Sequence, residues 1–336
     1  MMNGCTISII IPHYNRSQIV LQTIASIEAQ TFSDWEIIII DDGSIEEEWL
    51  NIKGLEGERI KVYKRKNELK GPSSCRNIGI RNSTGKYILF LDSDDLLASF
   101  CLEQRVAFME LHPNVDVGIF NMQMFEKTIG DSAIVLNKYF KTNDEYIQSF
   151  IRLESPWQVT CGIWKKYVLE ELNGFNEEMN YHEDPELHTR ALLKGKYNIS
   201  VQRNTKVDSF YRIASIQNAN ATLNLKLAVQ GGTQFIQSIN TFLNKDDAFV
   251  DKEYLHYKKL LGVAFRNVIS CFFNDSKKLL AEDFRQIINY SADQKIITPH
   301  QKRLTNFILR VRAGRIPLNN YLHVKGGLTK LYLLIF

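Results

Sequence analysis

Asp92, Asp94 and Asp95 close the apolar run YILFLDSDDLL, residues 87–97, and three carboxylates there call for a positive partner. Like charges this close raise one another's pKa unless a cation sits among them. Alternate residues of an extended segment point the same way, so Asp92 and Asp94, either side of Ser93, can face one point. Two hard oxygen ligands at that spacing suit Mg²⁺ or Mn²⁺, which keep waters and take phosphate oxygens as further ligands. The competing reading is a solvated Asp-rich turn after a strand, which is common.

Four other polar clusters bear on the choice. DDGS (41–44) offers Asp42 as an acceptor for a base imide N–H, such as that of uracil, and Gly43 for a sharp exit; as a plain turn, Asp-Gly is equally apt. PHYNR (12–16) offers the ring of Tyr14 to a base and Arg16 to a phosphate, or is a simple strand-to-helix loop. KGPSSCRN (70–77) places Arg76 at an expected helix start, where free N–H groups and a guanidinium make an anion site. HEDPEL (182–187) places Asp184 before a helix, as a cap or as a general base. No GxxxxGK[ST] or GxGxxG occurs, which argues against a P-loop NTPase and a nicotinamide dehydrogenase, and without an HExxH His182 is not read as a metal ligand.

The elements that must position these clusters follow from hydrophobic pattern. ISIII (7–11), stopped by Pro12, WEIIII (35–40), IKVYKR (60–65) and YILFL (87–91) read as strands, and VDVGIFNMQMF (115–125) as another. Between them, Val20, Ile24 and Ile27 recur at helical spacing after Ser17, and SSCRNIGIRNSTG (73–85) reads as a helix capped by Ser73 or Ser74 and stopped by Gly85. From Glu186 a further helix is expected, with Pro185 in its first turn. Apolar strands alternating with helices imply an α/β fold, a mainly parallel sheet covered on both faces, with ligands outside the carboxyl ends of the strands. PHYN, DDGS and DSDD all lie at such ends. Beyond about residue 220 the pattern is mostly helical, which divides the chain into 1–220 and 221–336.

The 336 residues have an ordinary globular composition and a net charge of +3. Five scattered cysteines without a CxxC pair fit a reducing compartment better than a disulfide framework or a zinc site. No signal peptide or membrane-spanning run is read. The charge is uneven: no acid follows Asp293, and the tail beyond it carries +8, leaving −5 for the remainder.

The ordered set IIIPHYNR, IIIIDDGS, SSCRNIGI, GKYILFLDSDD and GFNEEM…HEDPEL resembles the family-2 inverting glycosyltransferases of the GT-A fold, over residues 5–97 and again over 155–212. The resemblance implies that Pro12, Tyr14 and Asp42 hold the nucleoside, with Asp41 close by and Arg76 near ribose or pyrophosphate. Asp92 would meet the ribose and metal shell, Ser93 would lie against the donor, and Asp94 would ligate Mn²⁺ or Mg²⁺. Asp184 would be the base, with Glu183 orienting it or the acceptor. Trp157 and Tyr181 are candidates for stacking on an acceptor sugar, although aromatics in such places are more often ordinary core or rim. A departure is SFYRIASIQNAN (209–220), which keeps Tyr211 and Arg212 but lacks the histidine that relatives often carry shortly after this pair.

The expected function is metal-dependent transfer of a sugar from a nucleotide donor, UDP-linked, to a glycan or lipid-linked saccharide in surface polysaccharide synthesis. The expected location is the cytoplasm, peripheral to the inner membrane face. The basic, apolar tail reads either as a membrane-surface segment or as part of a helical domain with its cations outward; a nucleic-acid partner is not expected. The rivals are a sugar nucleotidyltransferase, which usually opens with a Gly-rich basic loop that PHYNRS lacks, and a non-catalytic sugar- or nucleotide-binding domain of the same fold.

Overall fold

The structure is a computed structural model that describes residues 5–66, 68–213, 221–245, 251–274 and 281–312. In chain order the strands are β1 (Ile7–His13), β2 (Trp35–Asp41), β3 (Ile60–Lys64), β4 (Tyr87–Phe90), β5 (Leu96–Leu97), β6 (Val117–Ile119), β7 (Met122–Phe125), β8 (Gly162–Lys165), β9 (Ile199–Val201) and β10 (Ser209–Arg212). The helices are α1 (Ser17–Glu28), α2 (Glu46–Lys53), α3 (Pro72–Asn82), α4 (Cys101–Leu111), α5 (Asn143–Ile151), α6 (Lys166–Glu171), α7 (Glu183–Leu193), α8 (Ala221–Lys245), α9 (Asp251–Asn274), α10 (Ala281–Asp293) and α11 (Pro299–Arg312).

The described strands form a seven-stranded sheet in the order β3-β2-β1-β4-β8-β6-β9 and a three-stranded sheet β5-β10-β7. Pairings in the larger sheet are parallel except those that β8 makes with β4 and β6. Strand alternation sorts its side chains onto two faces. Ile7, Ile9 and Ile11 join Ile37, Ile39 and Leu89 in a core closed by Val20 and Ile24 of α1, Ile52 of α2 and Leu102 and Met109 of α4. On the other face the Ile10 side chain packs against α3 at Gly79, where a Cβ would collide with it.

Four sequence expectations need correction. β1 runs through Pro12 to His13. Its pairing with β4 ends at Ile10, so the missing proline N–H faces a side on which the ladder has already stopped. The 115–125 strand is two, β6 and β7, which enter different sheets. The break falls at Asn121, whose side chain donates to the carbonyls of Arg203 and Thr205. α3 begins with Pro72 at its first position and Gly71 as cap, and ends at Asn82, short of Gly85. α7 begins at Glu183 with His182 as cap, which puts Asp184 inside its first turn.

Two compact units divide the chain: Met1–Ile147 with Ser155–Asn218, and Gln148–Glu154 with Ala219–Phe336. The second is helical in its described residues. Phe235 and Ile239 of α8, Phe265 and Ile269 of α9, Phe284 and Ile288 of α10 and Ile308 of α11 are buried. Asn240 donates to the Tyr290 hydroxyl and to Gln294. The expected boundary at residue 220 and most of the basic tail, 313–336, lie outside the described residues. No helix among them is long and apolar enough to cross a membrane.

Candidate active site

The carboxyl ends of β1, β2 and β4 open into a cavity of about 460 Å³. Pro12, His13, Tyr14 and Arg16 enter it from the end of β1 and Asp42 from the end of β2. Asp92, Ser93 and Asp94 come from the end of β4; Pro72, Cys75 and Arg76 from the start of α3; Glu183 from the start of α7; Tyr211 and Arg212 from β10. Of the expected site residues, Pro12, Tyr14, Asp42, Arg76, Asp92, Ser93, Asp94 and Glu183 therefore share one wall. The convergence is a consequence of parallel pairing, which brings all three strand ends to one edge.

The acids are answered by arginines. Arg16 donates to Asp94 at 2.6 Å. Arg76, only 3% exposed, donates to Asp92 at 2.7 Å and to Glu183 at 2.9 Å, tying the end of β4 to the start of α7. Arg212 donates through its main-chain N–H to Asp95, through Nε to the Asp94 carbonyl and through a terminal nitrogen to Gln22. Arg76, expected near ribose or pyrophosphate, lines the cavity and holds a carboxylate with each of its terminal nitrogens. Burial, with Asp92 alongside, raises the Asp94 pKa. Asp95 is raised well above the ordinary carboxylate range by burial and the charges of Asp92 and Asp94.

Asp184 does not line the cavity; it sits beside Glu183, half-buried. Burial first, then the neighbouring Glu183 charge, push its carboxyl up to about 8, against the opposing pull of Arg76. A carboxyl that titrates near neutrality has the pKa a general base needs. Burial holds the adjacent His182 down, at about 4, so it stays neutral.

Asp41 is fully buried, and its role is to hold backbone. It accepts from the N–H groups of Gly43 and Ser44 and from His13. Because the other ring nitrogen of His13 accepts from the Arg16 N–H, the His13 proton sits on the nitrogen facing Asp41. Trp157 is 1% exposed, between Tyr146 and His188, and so is core and not an acceptor platform. Tyr181 is exposed but outside the cavity lining, edge-on to His182.

Two features escaped the sequence reading. Arg65, one residue past β3, donates to the Asp42 carboxylate at 2.6 Å; it too follows a strand's carboxyl end, and that position was the available signal. Lys70 lies 3.9 Å from the centroid of the Tyr14 ring, and nothing local in the sequence marks that pairing.

Asp92 and Asp94 both line the cavity as candidate metal ligands. They present hard oxygens only, in a cavity that neither histidine nor thiolate dominates, which fits Mg²⁺ or Mn²⁺. Among the described residues no three His, Cys, Asp or Glu side chains are grouped to hold an ion by themselves. Water and phosphate oxygens would have to complete the shell, as is usual for Mg²⁺.

Comparisons with known proteins agree with the geometry. Residues 8–163, which carry most of the cavity wall, match the glycosyl transferase family 2 description. An uncharacterized glycosyltransferase of Rickettsia conorii is 45% identical over 111 residues, 33% of this chain and 18% of that protein. The chain thus spans under a fifth of the Rickettsia relatives it matches. Escherichia coli WfaP, named as a UDP-Glc:alpha-D-GlcNAc-diphosphoundecaprenol beta-1,3-glucosyltransferase, is 29% identical over 62% of this chain and 77% of its own. The structure of Staphylococcus aureus TarS 1-349 in complex with UDP superposes with a TM-score of 0.65 at 18% identity, covering 98% of this chain and 92% of that one. Residues 8–163 are thus similar to the family 2 glycosyl transferases, and the chain has the GT-A fold of its solved neighbours.

Proposed function

We propose that the protein is an inverting, metal-dependent glycosyltransferase that moves a sugar from a UDP donor to a hydroxyl of a lipid-linked saccharide. The observation that carries this reading is the meeting of Asp42, Asp92, Asp94 and Glu183 in one cavity, with a carboxyl of raised pKa, Asp184, at its margin. The relatives named for UDP-glucose and diphosphoundecaprenol-linked acceptors support the donor and acceptor classes.

The roles follow from position. Tyr14 and Asp42 hold the base, Ser93 and Asp92 the ribose side. Asp92 and Asp94 would hold the divalent ion, which when bound supplies positive charge to the diphosphate leaving group. Arg16 and Arg212 face the same space and can neutralise phosphate charge as it develops. Arg76 keeps Asp92 and Glu183 in register. Asp184 takes the acceptor hydroxyl proton as that oxygen attacks the anomeric carbon from the face opposite the leaving group, which inverts its configuration. With no histidine in 209–213, Arg212 is the cation that this segment brings to the donor.

Release of UDP from a panel of nucleotide sugars, with Mn²⁺ and then with chelator, tests the reading. Turnover of a UDP-sugar that stops on chelation supports it; turnover that ignores the chelator removes the metal role, and inertness towards every nucleotide sugar removes the function. Cytoplasmic, membrane-peripheral placement belongs to the same proposal. Flotation of the full chain with anionic liposomes, lost on deleting 300–336, supports it, and equal flotation of both forms refutes it.

A further inference from the structure

The Asp42 carboxylate is held from two sides. Its Oδ1 accepts from Arg65 Nε at 2.6 Å and from the Gly71 N–H at 3.1 Å. Arg65 spends its other nitrogens on main chain: one donates to the Asp42 carbonyl at 3.1 Å, another to the Glu68 carbonyl at 2.8 Å. Its own N–H donates to the Asp41 carbonyl. One guanidinium therefore laces the loop after β2 to the loop between β3 and α3. Gly71 completes the lacing with a φ of +138°, a backbone state that a side chain would oppose, and a Cβ there would strike Asn180.

These bonds occupy Oδ1 and leave Oδ2 for a ligand. The thiol of Cys75 lies against the carboxylate, but S–H is a weak donor that a base N–H displaces. Asp42 is 8% exposed and lines the cavity beside Tyr14. A fixed carboxylate in that place is an acceptor with no donor. It suits a ring that presents N–H between two carbonyls, as uracil does at N3. It repels a ring that presents a bare lone pair there, as cytosine does. Discrimination of this kind depends on the acceptor being unable to turn away, because a site built to pair one group rejects a ligand that leaves it unpaired.

We infer that Arg65 is a specificity-determining positioning residue: by pinning Asp42, it makes the cavity select a uracil nucleotide over a cytosine nucleotide. The inference deepens the proposed function and rests on the cavity being the nucleotide site.

Titration calorimetry of UDP and CDP against the full chain, both with Mn²⁺, tests it, comparing wild type, Arg65→Met and Arg65→Lys. Wild type is expected to bind UDP at least tenfold more tightly than CDP. Arg65→Met is expected to weaken UDP about tenfold and CDP less than threefold, so the preference collapses. Arg65→Lys reaches Asp42 without the planar fork, and retains part of the preference. Should Arg65→Met fail to fold, the lysine variant alone decides by its UDP-to-CDP ratio. Equal weakening of UDP and CDP would show a loop brace with no part in selection, and an unchanged ratio in both variants would overturn the inference outright. A wild type that binds both nucleotides equally also overturns it while leaving the nucleotide site standing. Binding of neither removes the nucleotide reading, and this inference with it.

Discussion

Replacing Asp184 by asparagine removes the proposed base while keeping the size and hydrogen-bonding shape of the side chain. With a carboxyl titrating at about 8, only about a tenth of the molecules carry the ionised base at pH 7, since each unit is a tenfold change in ratio. The single-turnover rate of sugar transfer is therefore expected to rise about tenfold from pH 7 towards a plateau above pH 9. Asp184→Asn should lower that rate by roughly 10² to 10⁴, the usual contribution of a positioned base, and abolish the rise. UDP affinity should stay within about threefold of wild type, because Asp184 does not line the cavity. Stability should respond in the opposite sense. The folded-state pKa lies above the ordinary carboxylate value, so the folded protein binds the extra proton and loses stability as pH rises from about 4 to about 8. Asp184→Asn is spared that loss, so its melting temperature should exceed that of wild type at pH 8.5 by more than at pH 5. Rapid-quench kinetics across pH 6 to 9.5, with melting scans at both pH values, measure all three. A flat wild-type profile, or a basic rise that survives in the variant, refutes the assignment.

Three further outcomes follow from side-chain partners. Arg105 is fully buried and grips Asp208 through two nitrogens while donating to the Thr160 carbonyl; Arg105→Met leaves that buried acid without its counter-charge, with Gln104 still donating to it, and should cost about 3–5 kcal/mol in denaturant unfolding. Gly71→Ala forces a side chain onto a positive φ and into Asn180, and should cost about 1–3 kcal/mol and weaken UDP binding in calorimetry. Arg16 competes with any cation for Asp94 through an exposed pair, and such pairs contribute about 0–1 kcal/mol. Arg16→Ala should therefore tighten Mn²⁺ in the absence of nucleotide by at most about fivefold, read by electron paramagnetic resonance of free Mn²⁺, and loosen UDP.

The sheet was legible because burial on both faces leaves a continuous apolar run, and Ile7–Ile11, Ile37–Ile40 and Tyr87–Leu91 are buried as such runs must be. The polar clusters at their ends were legible for the same reason: parallel order puts them on one edge. What stayed hidden was the partner of each charge. Arg16 and Asp94 lie 78 positions apart, and Arg76 and Glu183 lie 107 apart, distances at which periodicity carries no information. The same limit explains Asp41 and Asp42. They are adjacent, chemically identical and both buried, yet one turns into the backbone and the other towards the cavity. Trp157 failed as a sugar platform because a tryptophan before a short turn reads alike whether it faces the core or a ligand. The strand expected over 115–125 failed because one apolar stretch serves two sheets, and the reason, Asn121 tied to 203–205, lies more than 80 positions away.

The cradle at the end of β4 is the centre of the account, and UDP binding with and without Mn²⁺ tests it most directly. Calorimetry should show Mn²⁺ strengthening UDP binding at least tenfold in the wild type, with that gain lost in Asp94→Asn. UDP affinity that is indifferent to both the ion and the substitution would contradict the account.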